Sequence, residues 1–497
     1  MNALKKLAND TAIYGLSSII GRVLNYLLVP FYTTILLPAE YGVITEFYAY
    51  AAFLNVIYGY GMETAYFRFV AQGRPIEVFR LITSLLILTT LFFSTLLVSL
   101  ATPIINLLGY PGQESYIYYF VGILAIDTLL IIPFAQLRFT NQALRFAGLK
   151  CFQIGLNIAL NLLFLYVLPG IYEARFLSFL KPFITYIYDP THITPVFLTY
   201  VFLANLIANF CVLSLLGKTL AHFRFQINWQ QLWPMVLYAL PLLVVGLAGT
   251  TNEMISRALL KYLLPAGFYA GQTSETILGI FGACYKLSIF MLLSIQAFRY
   301  ASDPFFFTHA RDKHAPQLFS KMMDGYILVA CFIWFAVSAN LDVLGYLFLR
   351  KPEYRMAIGI VPYLSLAYLW LGIYYNLSIW FKVVDKTYYG SLITLIGAGI
   401  TILLNIWLVP QWGYWGSVWA SVFSYLVMAV VCYYQGQKYY PIPYQTSRGL
   451  LYIASTLGLI VLVRNIHYTS WIYAFASNVS FTVLFGVVVY RGLRRSF

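Results

Sequence analysis

Fourteen apolar stretches, each cut off from the next by a short polar or Pro/Gly-bearing break, leave this chain of 497 residues little choice of fold. A hydrocarbon core of ~30 Å is crossed by about 20 helical residues. The stretches meet that length at 11–36, 43–70, 80–108, 115–139, 150–169, 195–216, 234–263, 274–302, 321–349, 358–381, 388–409, 415–435, 448–465 and 470–492. Backbone polar groups in lipid must be satisfied inside the protein, which admits only helices or closed barrels. No stretch alternates with period two, so helices are expected. A soluble chain of this length would form about three domains. With 61% hydrophobic and 10% charged residues, an all-α integral membrane protein of 14 transmembrane helices is expected instead.

Orientation follows from Lys and Arg. With both termini in the cytoplasm, and residues at span ends counted with the adjoining loop, 21 lie on the cytoplasmic side, 7 on the other and 3 inside spans. That bias is a positive-inside signal. The net charge of +14 is therefore spread over short loops facing anionic membrane lipids, and gives no reason to expect a nucleic-acid partner. The start, MNALKKLANDTAIYGL, leads into too long an apolar run for a signal peptide and no A-x-A site follows, so it reads as a retained first span. Cys151, Cys211, Cys284, Cys331 and Cys432 fall in or beside spans without a CxxC pair, which suggests packing rather than disulfides or zinc. HExxH, Walker and GxGxxG patterns are absent, and the N-x-S triplets at Asn376 and Asn478 sit at membrane depth. Neither an enzyme nor a bound cofactor or metal is expected.

The chain also repeats itself. LLPAEYG from Leu36 returns as LLPAGFYAG from Leu263. Arg22 matches Arg257, YFRFVA around Arg68 matches AFRYAS around Arg299, and Pro169 in IGLNIALNLLFLYVLPG matches Pro410 in IGAGITILLNIWLVPQWG. The offsets of 227, 235, 231 and 241 drift without jumping, which implies two copies of one unit. Six spans per copy is an even number, so the copies share one orientation: a parallel pseudo-repeat, with substrate expected between the halves. The expected domains are an N-terminal six-helix lobe at 1–217, a second at 218–440, and two additional helices at 441–497.

These residues resemble the polysaccharide flippases of the multidrug/oligosaccharidyl-lipid/polysaccharide exporter superfamily. The resemblance spans essentially the whole chain. It is most specific at the first-span arginine followed by LPAEYG, at Arg257 followed by LPAGFYAG, and in NIWLVPQWGYWGSVWASVFSY from Asn405 to Tyr425. It implies two six-helix lobes around a central cavity, with spans 13 and 14 as the added pair seen in proteins that move undecaprenyl-pyrophosphate-linked glycans. It further implies a bacterial cytoplasmic (inner) membrane location and a role in O-antigen, capsule or exopolysaccharide synthesis beside a polysaccharide polymerase. Two departures stand out. Many relatives carry an aspartate just before the second arginine, where this chain has Ser256, with Glu253 four residues before Arg257. The lipid II flippase subgroup carries an Arg-Asp pair where this chain has Leu28 and Val29.

Charges at membrane depth cost roughly 2.5–3.5 kcal/mol each and usually face a cavity or a partner. Seven are present: Arg22, Glu46, Glu63, Asp127, Glu253, Arg257 and Lys286. They could neutralise one another, Arg257 with Glu253 and Arg22 with Glu63 or Asp127. The sharper expectation is that Arg22, Arg257 and Lys286 bind a translocated pyrophosphate, to which a guanidinium fork and a mobile ammonium are both suited. Glu63, Asp127 and Glu253 are then counter-ions or sites for a coupling ion, Na+ or H+. Glu46, near the outer interface, reads as a plain solvated residue. Tyr14, Tyr26, Tyr48, Tyr58, Tyr60 and Tyr66 stud the first two spans and would suit either sugar stacking or helix packing. The loop at 170–194 reads as an interfacial segment or an outer gate. The function expected is therefore flipping of a lipid-linked oligosaccharide by alternating access. A multidrug-type antiporter and a lipid II flippase are the alternatives within the superfamily, and a glycan polymerase or ligase would need a larger outer catalytic loop.

Overall fold

The structure is a computed structural model that describes residues 19–173, 175, 177, 179, 181–184, 193–221, 223–309, 314–466 and 471–496. Helices account for all its regular structure: α1 Ile19–Ile35, α2 Pro38–Gly59, α3 Met62–Val70, α4 Pro75–Ser99, α5 Ala101–Leu107, α6 Glu114–Phe139, α7 Ala143–Tyr172, α8 Ile193–Leu215 and α9 Trp229–Leu263. They continue as α10 Ser274–Lys286, α11 Ile289–His309, α12 Ala315–Ala339, α13 Leu341–Phe348, α14 Pro352–Val383, α15 Tyr388–Trp412, α16 Tyr414–Tyr439, α17 Thr446–Arg464 and α18 Trp471–Ser496. Every expected stretch meets a helix. Among the described residues eleven helices are long and apolar enough to cross a membrane, twelve if α10 and α11, bent by 45°, form one crossing. The first two expected crossings fall outside that set, on the short α1 and on the broken pair α2–α3. The chain is a multi-pass, all-helical membrane protein.

The breaks have local causes. Pro75 opens α4, where its missing N–H is an orphan donor anyway. In α7 a π-turn at Leu163–Val167 leads into Pro169, whose ring cannot continue the regular hydrogen-bond ladder. Thr273 caps α10 by accepting from the Thr276 amide at 3.2 Å.

Two compact units emerge, Met1–Leu28 with Phe47–Thr250, and Val29–Glu46 with Thr251–Phe497. In the first unit, Met62, Tyr66, Phe79 and Ile82 pack with Leu232, Met235 and Ala239 from the start of α9. Gly61, at φ +77°, lies where an added Cβ would meet the Ala239 carbonyl and the Leu242 side chain, so glycine is required for both backbone and space. Phe47 meets the rings of Tyr116, Phe120 and Phe202 at 5.5–5.8 Å. In the second unit α12 is central, 72% of its membrane window being buried, while α18 at 11% is peripheral. Both α17 and α18 pack along α12, and α16 lies against α14 and α15.

Residues 29–46 join the second unit through specific contacts. The Thr33 hydroxyl donates to the Phe348 carbonyl at 2.7 Å, and Lys351 Nζ to that of Leu36 at 2.9 Å. The turn from Pro38 to Gly42 then crosses α10 so closely that a Cβ on Gly279 would overlap the Pro38 carbonyl, and one on Gly42 that of Glu275. Small residues permit such backbone approach in membrane proteins. Gly279→Ala should therefore lower the thermal unfolding midpoint in detergent, overpacking costing about 1–3 kcal/mol. Gly399→Ala, with open space around its position, should not lower it.

Candidate functional site

The second half of α9 positions the site by dividing its faces. Asn252 and Ser256, one turn apart, enter a buried polar seam with α15 and α16. Asn252 Nδ2 donates to the Thr394 carbonyl at 3.0 Å, its Oδ1 accepts from Thr401 at 3.1 Å, and Asn405 Nδ2 donates to Ser256 Oγ at 3.0 Å. The Tyr425 hydroxyl donates to the Asn252 carbonyl at 3.0 Å, and Ser417 Oγ to Asn405 Oδ1 at 2.8 Å. The serine that replaces the family's aspartate is thus one acceptor in a neutral network. Glu253 and Arg257, each the next residue along, are rotated about 100° from that seam.

Arg257 faces α10. Its guanidinium carbon lies 3.9 Å from the centroid of the Tyr285 ring, and Nη1 sits 3.1 Å from Met254 Sδ. Nε is buried without a hydrogen-bond partner. Glu253 is within electrostatic reach but forms no ion pair with it, so the neutralised Arg257–Glu253 pair is absent. Tyr368 donates its hydroxyl to that of Tyr285 at 2.6 Å and stacks on Tyr425, which fixes the ring beneath the guanidinium. Lys286 ends α10 at the bend, within electrostatic reach of both Arg257 and Glu253. A guanidinium held flat on a ring keeps fork donors for an oxyanion.

The remaining expected residues occupy the first unit. Arg22 lies on α1 with an exposed side chain. Glu63 is ion-paired with Arg138, which leaves Glu63 engaged at the end of α6. Asp127 accepts from Asn209 Nδ2 at 2.7 Å, Asn209 accepts from Gln153 at 2.6 Å, and Lys150 donates to Gln153 at 3.3 Å. Lys150 also rests 4.2 Å over the Phe134 ring. This chain of polar groups across α6, α7 and α8 links the carboxylate to an ammonium without direct contact.

One expectation is overturned. Glu46 is 0% exposed, not solvated: Lys261 Nζ lies 3.0 Å from its Oε2 and the Tyr262 hydroxyl 2.7 Å from its Oε1. Lys261 also reaches Glu275 at 3.5 Å. The reason is tertiary, since docking of residues 29–46 buries a helix end that the sequence places near the interface. Lys261, counted with the outer loops, was passed over; its signal was the last turn of an apolar helix, four residues past Arg257. Tyr58, Tyr60 and Tyr66 are buried and packed, the first two within 3.4 Å of Ser94 and Thr89 hydroxyls and the third hydrogen-bonded to Gln136. Tyr48 stays 38% exposed and accepts from Asn205. Tyr14 lies outside the described residues, as does much of the 170–194 loop, where Lys181 Nζ sits 5.2 Å over the Tyr172 ring.

Three solved structures share this fold. A lipid II flippase, MurJ, in an inward closed conformation matches with a TM-score of 0.70 at 12% identity, over 97% of this chain and 99% of its own. A multidrug resistance MATE family transporter of the MOP superfamily, in an inward-facing conformation, matches at 0.59 and 13% identity, over 90% and 96%. A variant of the Vibrio cholerae MATE transporter VcmN matches at 0.58 and 14% identity, over 88% and 98%. No family model and no curated protein matches the chain. At such identities it is the fold that is shared, and it is a fold of transporters.

Proposed function

We propose that this protein is a flippase that carries a polyprenyl-pyrophosphate-linked oligosaccharide from the inner to the outer leaflet of a bacterial cytoplasmic membrane. The observation that carries the reading is Arg257: a half-buried guanidinium at membrane depth, laid on Tyr285, with no carboxylate in ion-pair range and Lys286 in electrostatic reach. A desolvated cation without a counter-ion is costly unless an anion visits it. A pyrophosphate supplies that anion, and two basic groups offer it both a fork and a point charge. Arg22 is assigned the same role from its membrane depth, while Glu253, Glu63 and Asp127 act as counter-ions or hold a coupling Na+ or H+. The glycan rides in water with the headgroup, and the prenyl tail remains in lipid.

Alternating access would carry the anion outward. Moving two net negative charges across ~100 mV, negative inside, is favourable by about 4.6 kcal/mol at ~2.3 kcal/mol per charge, which gives direction without a nucleotide. The decisive experiment is reconstitution in liposomes with an undecaprenyl-pyrophosphate-linked oligosaccharide, lipid II or a cationic dye as cargo. Protein-dependent translocation of the oligosaccharide, and none of the dye, is expected. Movement of lipid II alone would reassign the protein to that substrate, and dye movement alone would make it an antiporter.

A further inference from the structure

In the second unit, α12, α14, α16 and the start of α17 enclose a cleft with about 820 Å³ of empty space, open on one side. Its walls are apolar, with Ile327, Trp370, Leu426 and Ile453 along its length. Two polar groups interrupt them. Asp324 lines the cleft, is 5% exposed, and has no hydrogen bond or ion pair with any described residue. Tyr444 lines it too, and its hydroxyl is buried without a partner.

Their placement is fixed by the fold. One turn before Asp324, Ser320 Oγ donates to the Pro443 carbonyl at 2.7 Å, tying α12 to the connector that precedes α17. Asp324 is thereby held about one turn deeper than the connector. Arg448 is the basic group within its electrostatic reach, but that side chain is exposed and donates to Gln445 Oε1 at 2.9 Å. A buried carboxylate and a buried hydroxyl that lack partners at the end of an apolar slot describe a receptor for an amphiphile with a cationic donor.

We infer that the cleft binds an aminophospholipid of the surrounding membrane. One acyl chain lies along the apolar walls, the headgroup ammonium is held by Asp324 with the Tyr444 hydroxyl beside it, and the phosphate turns toward Arg448. The volume suits a small-ligand site. An anionic lipid would set a second negative charge against Asp324, and a bare prenyl chain would leave both polar groups unmet. None of the residues assigned to pyrophosphate takes part, so the site stands apart from the proposed transport function.

Native mass spectrometry of the full chain tests this with phosphatidylethanolamine, phosphatidylglycerol and N-acyl phosphatidylethanolamine of matched chains. The wild-type protein should retain the free-amine lipid about tenfold better than either of the others, as expected for one charge-assisted contact. Asp324→Asn should erase the preference, and Leu450→Trp, at a 55% exposed lining position, should close the slot to all three. Equal retention of the three lipids by the wild-type protein, which depends on no variant folding, would overturn the proposal. So would an intact preference in Asp324→Asn, or displacement of the bound amine lipid by equimolar undecaprenyl phosphate, which would give the cleft to a prenyl chain.

Discussion

Arg257→Ala should reduce oligosaccharide translocation in liposomes by at least about a hundredfold, because two hydrogen bonds to a charged group are worth roughly 1.5–3 kcal/mol each. Loss of stability is not expected to accompany it. The guanidinium has no ion pair to break, its Nε has no partner, and the principal contact given up is the Tyr285 ring at 3.9 Å. Removing a desolvated, unpaired cation relieves a cost, so the thermal unfolding midpoint should stay level or rise. Arg257→Lys keeps the charge but loses the planar fork, and should fall between the two in rate. Translocation at the wild-type rate in Arg257→Ala would remove the basis of the proposed function. A drop in rate matched by a drop in unfolding temperature would show that the arginine serves packing alone.

The opposite balance holds at Glu46. Here the ion pair with Lys261 is made, buried and reinforced by Tyr262. Glu46→Ala strands the ammonium with only Glu275 at 3.5 Å, and breaking a buried pair from one side costs about 3–5 kcal/mol. A large fall in unfolding temperature is expected. The double variant Glu46→Ala with Lys261→Met should recover much of it, since no buried charge is then left alone. Additive losses in the double variant would show that the pair itself contributes little and that each side chain acts through separate contacts.

The helices were legible in the sequence because the bilayer imposes a length and an apolarity on every crossing, and those are one-dimensional properties. Their junctions were partly legible: Pro169 and the breaks flanking α10 fall where a proline or a polar run interrupts the apolar text. The arginine on α9 was legible too, since a charge amid Leu and Ile at membrane depth is conspicuous without any structure. What surrounds it was not. Whether Glu253 neutralises Arg257 depends on rotation about the helix and on the pull of Asn405 and Ser417 on the neighbouring Ser256, and neither is written in spacing along the chain.

Sequence by itself determined that this protein is a multi-pass helical membrane protein with ionisable groups inside it, because hydrocarbon cannot satisfy a backbone or solvate a charge. Tertiary structure alone decided which charges are paired. Glu46 became an interior ion pair because Gly42 and Gly279 let two backbones meet and carried residues 29–46 onto α9, whereas Arg257 was left to an aromatic ring. Pairing depends on distances between segments some 215 residues apart, and only packing sets those distances.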